Sequence, residues 1–220
     1  MCLMCAKHKG LAKYWYLNEE NYRREVLRDP SKFEFARDLI AHFEDYITRG
    51  MTGELGAEAT RALILDHHGQ VVPYEDAIRI MEIVEKQGGL TVANPCVCRK
   101  VYGAKYDSVC ISWGLPVEMA VKSGLHQDMP LEIMETFKIP FTAEDAKEFF
   151  KEAEEERSLV HTIWTFGAPY IGAICNCEPP YCAAFRTRTY LGIQETLSKA
   201  EYVARVDPDK CDGCGKCVLK

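Results

Sequence analysis

The cysteines between positions 96 and 217 fall into close groups, and their spacing suits metal or cluster chemistry. The groups are Cys96-Val-Cys98, a lone Cys110, Cys175-Asn-Cys177 with Cys182 shortly after, and Cys211-x2-Cys214-x2-Cys217. The last group matches the first three ligands of the bacterial-type iron–sulfur run C-x2-C-x2-C-x3-C-P. Gly213 and Gly215 stand between its thiols, as a tight loop around a cluster needs. The fourth thiol of such a run would fall just beyond Lys220, so the sequence reads as a fragment cut before the motif closes.

Cys96, Cys98, Cys110, Cys175, Cys177 and Cys182 form a central set of six thiols. A [4Fe-4S] cubane takes four thiolates. Either two of the six are spare or a different nuclearity is present. Arg99, next to Cys98, is a candidate cofactor-contacting residue, because a cation beside an iron–sulfur core offsets its negative charge and raises its potential. Zinc is the rival, since tetrahedral sites use the same thiolates, but zinc knuckles favour C-x2-4-C over C-x-C. For Cys110 alone, the alternative reading is a buried apolar side chain.

The chain has eleven cysteines, an odd number, and its start shows no charged-then-apolar export signal. At 220 residues it needs no staples to hold a core. Shared metal ligation therefore outweighs a disulfide framework, and a reducing, cytoplasmic setting is expected. The net charge of −6 argues against general nucleic-acid binding, and no run is apolar and long enough to span a membrane. The 47% hydrophobic and 27% charged fractions are those of a globular chain.

Other candidates are weaker. Cys2 and Cys5 with His8 read either as a small metal site or as ordinary thiols near a terminus, and Ala6 after Cys5 excludes the c-type haem motif. Asp66-His67-His68-Gly69 reads as a solvated turn, because adjacent residues seldom converge on one ion. His161 reads as a structural histidine, and Trp164, Phe166 and Tyr170 as core or cluster shielding. No phosphate-binding glycine loop, dinucleotide fingerprint or Ser–His–Asp pattern is visible.

The elements that must position the thiols follow from periodicity. Asp29-Pro30 opens a helix running to about Gly50, with Ala36, Leu39, Ile40, Phe43 and Ile47 on one face. Arg61–Leu65 reads as a buried strand. A helix from Pro73 to Gly88-Gly89 leads into a strand from Leu90 and then Cys96. The order recurs at the same offset. Thr142-x-x-Asp145 is a capping box, its helix runs to about Arg157, and Leu159–Phe166 is a strand. Tyr170–Ile174 is a second strand delivering Cys175. A helix from Pro116, a strand-like Phe137–Phe141, a helical piece at Ile193–Lys199 and a strand at Glu201–Val206 complete the reading. The expected fold is α+β, a small sheet with a duplicated helix–strand unit that carries the cysteine pairs to one place. The expected domains are an N-terminal helical region at 1–58, the cysteine-rich unit at 59–200, and the start of a ferredoxin-type cluster domain at 201–220.

These residues resemble a family of 4Fe-4S ferredoxin-type iron–sulfur proteins of anaerobic bacteria and archaea. The shared features are Pro95–Arg99, Leu159-Val160-His161 ahead of Ile174–Cys177, and Tyr202-Val203-Ala204 with Asp207 before the Cys211 motif. The likeness spans about residues 60–220. It departs from the family after Cys177, where Glu178-Pro179-Pro180 replaces further cysteines. The resemblance implies [4Fe-4S] clusters and a complete two-cluster ferredoxin module downstream of position 220. It also implies one-electron transfer with redox partner proteins. Two other classes remain open: a catalytic iron–sulfur oxidoreductase with an open iron position, and a zinc-stabilised interaction or redox-sensor module. The sequence leaves the oligomeric state open.

Overall fold

The computed structural model describes residues 14–23, 49, 54–63, 67–104, 108–122, 138–166, 171–194 and 196–219. Its helices are α1 Gly56–Leu63, α2 Tyr74–Lys86, α3 Val97–Val101, α4 Leu115–Lys122, α5 Ala143–Glu155, α6 Ala183–Tyr190 and α7 Lys216–Leu219. Its strands are β1 His67–Val71, β2 Thr91–Pro95, β3 Ser108–Trp113, β4 Val160–Phe166, β5 Ile171–Cys177 and β6 Leu197–Ser198. The structure is mixed α and β, with one six-stranded sheet in the order β2-β3-β5-β4-β1-β6.

Helix α2 forms because Ala77, Ile80, Met81 and Val84 recur at helical spacing, and all four are sealed from water. Glu75 and Asp76 in its first turn and Lys86 in its last suit the helix dipole. It stops where Gly88 takes a left-handed φ of 68°. Helix α5 starts at the expected capping box. The Asp145 N–H donates to Thr142 Oγ1 (3.1 Å), and the Thr142 N–H donates to Asp145 Oδ2 (2.9 Å). Lys138 Nζ, 2.6 Å from Asp145 Oδ1, together with those bonds holds the carboxyl down to about 2.

The same offset separates Tyr74 from Ala143 and Thr91 from Val160, so the duplicated unit is a helix followed by a hairpin. The units are α2–β2–β3 and α5–β4–β5, and each hairpin is antiparallel. The second strands meet antiparallel at the middle of the sheet, with Ile111 opposite Ile174. The two helices pack against each other. One sheet face and both helices make the main core, which includes Ile80, Met81, Ile111, Trp113, Phe150, Ile163 and Ile174. Large side chains of this kind each contribute roughly 1.5–3 kcal/mol on full burial.

The described N-terminal residues belong to this same core. Trp15, Tyr16 and Tyr22 are fully buried against it. Their polar tips are satisfied, as burial demands. Trp15 Nε1 donates to Gln70 Oε1 (2.7 Å), Tyr16 donates to Asp76 Oδ2 (2.8 Å), and Tyr22 donates to the Tyr16 carbonyl (2.5 Å).

Several expectations need correction. Arg61–Leu63 closes helix α1 rather than opening a strand, since Gly56-Ala-Glu-Ala-Thr-Arg-Ala-Leu is made mostly of helix formers. The strand follows it at His67–Val71, where a turn was expected, and pairs with β4 and β6. Gly69 makes that pairing possible. A Cβ there would sit 2.7 Å from the Trp164 ring, so only glycine lets the ring lie across the strand. The piece at Ile193–Lys199 is not helical. The helix lies earlier, at α6, and Leu197–Ser198 is a strand. Glu201–Val206 pairs with no strand among the described residues and leaves Val203 and Val206 exposed. Of Phe137–Phe141, Lys138 makes only an isolated bridge to Ala93. The two C-x-C groups do not occupy equivalent places. The first follows the first strand of its hairpin, whereas the second lies within the second strand of the other. The expected helix before Gly50, and Cys2, Cys5 and His8, lie outside the described residues.

Candidate metal centre

Strand alternation sends Ile111 and Ile174 into the helix-covered core and their neighbours Cys110 and Cys175 to the other face. Cys110 and Cys175 are directly opposed across β3 and β5. Cys177, two residues on, shares the face of Cys175 and packs with Trp164, Ala173, Cys182 and Leu197. Cys96 precedes α3 and Cys182 precedes α6. The sheet thus supplies Cys110, Cys175 and Cys177, and the starts of two helices supply Cys96, Cys98 and Cys182.

Sulfur contacts link these side chains. Cys96 hydrogen-bonds with Cys110 and with Cys98, and Cys110 hydrogen-bonds in turn with Cys175. Cys182 Sγ lies 3.2 Å from Cys177 Sγ. Cys98 feels the charge of Cys182, and Cys177 feels that of Cys175 and Cys96. The sulfur contacts join Cys175, Cys110, Cys96 and Cys98 in one series and Cys177 with Cys182 in a separate pair. Among the described residues, no group of three or more His, Cys, Asp or Glu side chains is arranged so that it could hold a metal ion. The case for a metal therefore rests on the donor set and its sulfur contacts.

The thiols are not electrostatically equal. Hydrogen bonds from Cys110 and Cys98, joined by the Arg99 N–H and guanidinium, pull Cys96 down to about 3, against the effect of burial. Cys98 and Cys110 are raised because they donate to neighbouring sulfurs and are buried. Cys182 is raised first by its bond to Cys177 and then by burial, while the N–H groups of Phe185 and Ala184 oppose the shift. The bond from Cys182 lowers Cys177, but burial and the charges of Cys175 and Cys96 outweigh it. Several like-charged thiolates this close need a cation or a metal to coexist.

Arg99 is the cation at hand. It is 2% exposed. Its Nη2 lies 3.4 Å from Glu178 Oε2, so the ion pair joins the Cys96–Cys98 loop to the Cys177–Cys182 turn. That turn is closed by the Tyr181 and Cys182 N–H groups donating to the Glu178 carbonyl (3.0 and 2.9 Å). Arg186 Nη1 donates to the Pro180 carbonyl (3.1 Å), and its guanidinium lies over the Tyr102 and Tyr190 rings. The Glu-Pro-Pro stretch that departs from the resembled family is therefore an ordered connector between the thiol loops.

Sequence reasoning missed Thr162, whose Oγ1 is 3.2 Å from Cys177 Sγ and accepts from Trp164 Nε1 (2.9 Å). It also missed the N–H groups of Ala183, Ala184 and Phe185, which face Cys98 and Cys182. The available signal was Cys182 standing as N-cap before Ala-Ala-Phe-Arg. His161 is buried, with Nδ1–H donating to Asn176 Oδ1 (2.6 Å), and lies against the Phe150 ring, away from the thiols. Cys211, Cys214 and Cys217 lie apart, all exposed, on a segment looped by left-handed Gly213 and Gly215.

Comparison with known protein families, with curated proteins and with solved structures finds no match for this chain. Among the described residues no helix is long and apolar enough to cross a membrane.

Proposed function

We propose that the chain binds an iron–sulfur centre through its central thiols and serves as a one-electron carrier. The observation that carries this reading is the opposition of Cys110 and Cys175 across the meeting strands of the two hairpins, with Cys96 bonded to Cys110, Cys177 paired with Cys182, and a buried Arg99 beside Cys96. An all-thiolate donor set is soft and suits iron–sulfur clusters. Amide N–H groups and a guanidinium near the sulfurs stabilise the more negative, reduced state and raise the potential. Cys96, Cys98, Cys110, Cys175, Cys177 and Cys182 would hold the centre, and Arg99 would balance its charge. The bound cluster would supply an electron reservoir. The protein would exclude water from it through Trp164, Leu197 and the Glu178–Tyr181 turn. The exposed tail thiols Cys211, Cys214 and Cys217 would take a second, surface-facing cluster of the [4Fe-4S] type, suited to exchange with a redox partner protein.

Anaerobic reconstitution with iron and sulfide tests this. Bound iron and acid-labile sulfide, with a visible absorption band that bleaches on reduction and a matching EPR signal, are expected. Tight zinc with no retention of iron would overturn the proposal.

A further inference from the structure

The central thiols differ in how they meet. Cys96 and Cys110 each bond to two other sulfurs, whereas Cys177 and Cys182 bond to each other. Cys177 ends β5 and Cys182 is the N-cap of α6, with only Glu178-Pro179-Pro180-Tyr181 between them. That turn is held along its length. The Cys182 N–H donates to the Glu178 carbonyl (2.9 Å), and Arg186 Nη1 donates to the Pro180 carbonyl (3.1 Å). Arg99 pairs with the Glu178 carboxylate, and two consecutive prolines restrict the backbone. The fold therefore presents the two sulfurs to each other before any bond forms.

Starting 3.2 Å apart, the sulfurs must approach by roughly 1.2 Å to reach the disulfide length of about 2.05 Å. Side-chain torsions can supply a displacement of that size. Access is narrow but present. Pro179 and Pro180 are exposed, and Cys177 and Cys182 keep 7% and 6% exposure, whereas Ile111 and Ile174 in the core keep 0%. A small oxidant fits such an opening better than a bulky one.

We propose that Cys177 and Cys182 form a redox-active dithiol, which a small peroxide closes to a reversible disulfide in the iron-free chain. Cys177, which accepts the Cys182 S–H, attacks one peroxide oxygen. The O–O bond breaks, Cys177 becomes a sulfenic acid and one water leaves. The Cys182 sulfur then attacks the Cys177 sulfur, the S–O bond breaks, the S–S bond forms and a second water leaves. Two electrons pass from the sulfurs to the peroxide, and both thiol hydrogens end in water. The bridge does not depend on iron. On the iron–sulfur reading it would compete with iron, because it withdraws both thiols as ligands.

The test uses the full chain, stripped of metal, reduced, and then exposed to hydrogen peroxide. Acid quenching, alkylation of free thiols and non-reducing chymotryptic digestion follow. Cleavage after Tyr181 and Phe185 leaves Cys182 as the one thiol of its peptide. The first bridge formed should join that peptide to the one carrying Cys177, and dithiothreitol should release it. Cys175→Ser should keep the bridge and Cys177→Ser should abolish it. Cys182 left free after other thiols are consumed, or bridged instead to Cys98 or Cys175, would overturn the proposal. If a serine variant loses the folded far-UV circular dichroism spectrum, fragmentation of the wild-type linked peptide assigns the bridge directly. No iron enters the experiment, so its failure leaves the iron–sulfur reading untouched.

Discussion

At the scale of single residues, the site turns on where charge is buried. Burying an isolated guanidinium is unfavourable by several kcal/mol unless it is compensated. Arg99 meets that condition through Glu178, whose carboxylate lies 3.4 Å from its Nη2. Arg99→Gln removes the cation and keeps hydrogen-bonding capacity, so the midpoint potential of the reconstituted centre should fall, with iron content unchanged. Protein-film voltammetry reads this directly, and an unchanged potential would remove Arg99 from the cofactor environment. His161 makes the contrasting case. Burial lowers its pKa from 6.5, against the opposing pull of Asn176 and Glu154. A group depressed in the fold stabilises the fold above its unfolded pKa. Stability should therefore fall as pH drops below about 6.5, because the unfolded chain takes the proton first. Urea midpoints of wild type and His161→Leu at pH 7.5 and 5.5 check it. The wild type should lose more between the two, and parallel losses would assign the effect elsewhere.

At the scale of elements, local signals were legible wherever they were self-contained. The Thr142–Asp145 box, the apolar stripe of α2 and its Gly88 stop need only their own sequence, and each was read to within a residue or two. Strands whose partners decide them were harder. Ser108–Trp113 carries no clean alternation, yet it is fixed by two neighbours, and His67–Val71 is a strand because Gly69 admits Trp164. Glu201–Val206 is rich in β-formers but pairs with no strand among the described residues. Removing a self-contained signal should have a local cost. Thr142→Ala strips the α5 cap and should destabilise the protein by about 1 kcal/mol, measured by denaturant unfolding. The Asp145 half should add an acid limb. Its carboxyl lies well below 3.8 in the fold, so its support is present above that pH and fades as pH falls toward about 2. The limb should be weak, since Lys138 is half exposed and solvent screens the pair.

At the scale of the whole molecule, the thiol groups were legible as candidate ligands, but the way the fold places them was not. Their spacing named the residues, while the rung that opposes Cys110 to Cys175 depends on two hairpins meeting at the centre of one sheet. The repeat in helix and strand starts hinted at that symmetry. It misled about the C-x-C pairs, which sit at different points of the two units. The tail has the opposite character. Cys211, Cys214 and Cys217 are exposed, and the segment is fastened to the body at its beginning. There Tyr202 donates to Asp76 Oδ1 (3.3 Å), and Gln70 Nε2 donates to the Lys199 carbonyl (3.3 Å). Central and tail thiols should therefore differ in how they are coupled to folding. Metal held by the fold stabilises the fold by mass action, and metal held by a segment outside the core does not. In iron-loaded protein, replacing the three tail cysteines by serine should change the unfolding free energy by no more than about 0.5 kcal/mol, as for other exposed substitutions. Cys177→Ser should remove most of the iron-dependent stabilisation, because Cys177 is buried at the junction of β5 and the Glu178 turn. Unfolding curves of each variant with and without iron separate these effects. Equal losses of iron-dependent stability from the tail and central replacements would mean that the tail thiols close onto the central site and that the two sites are one.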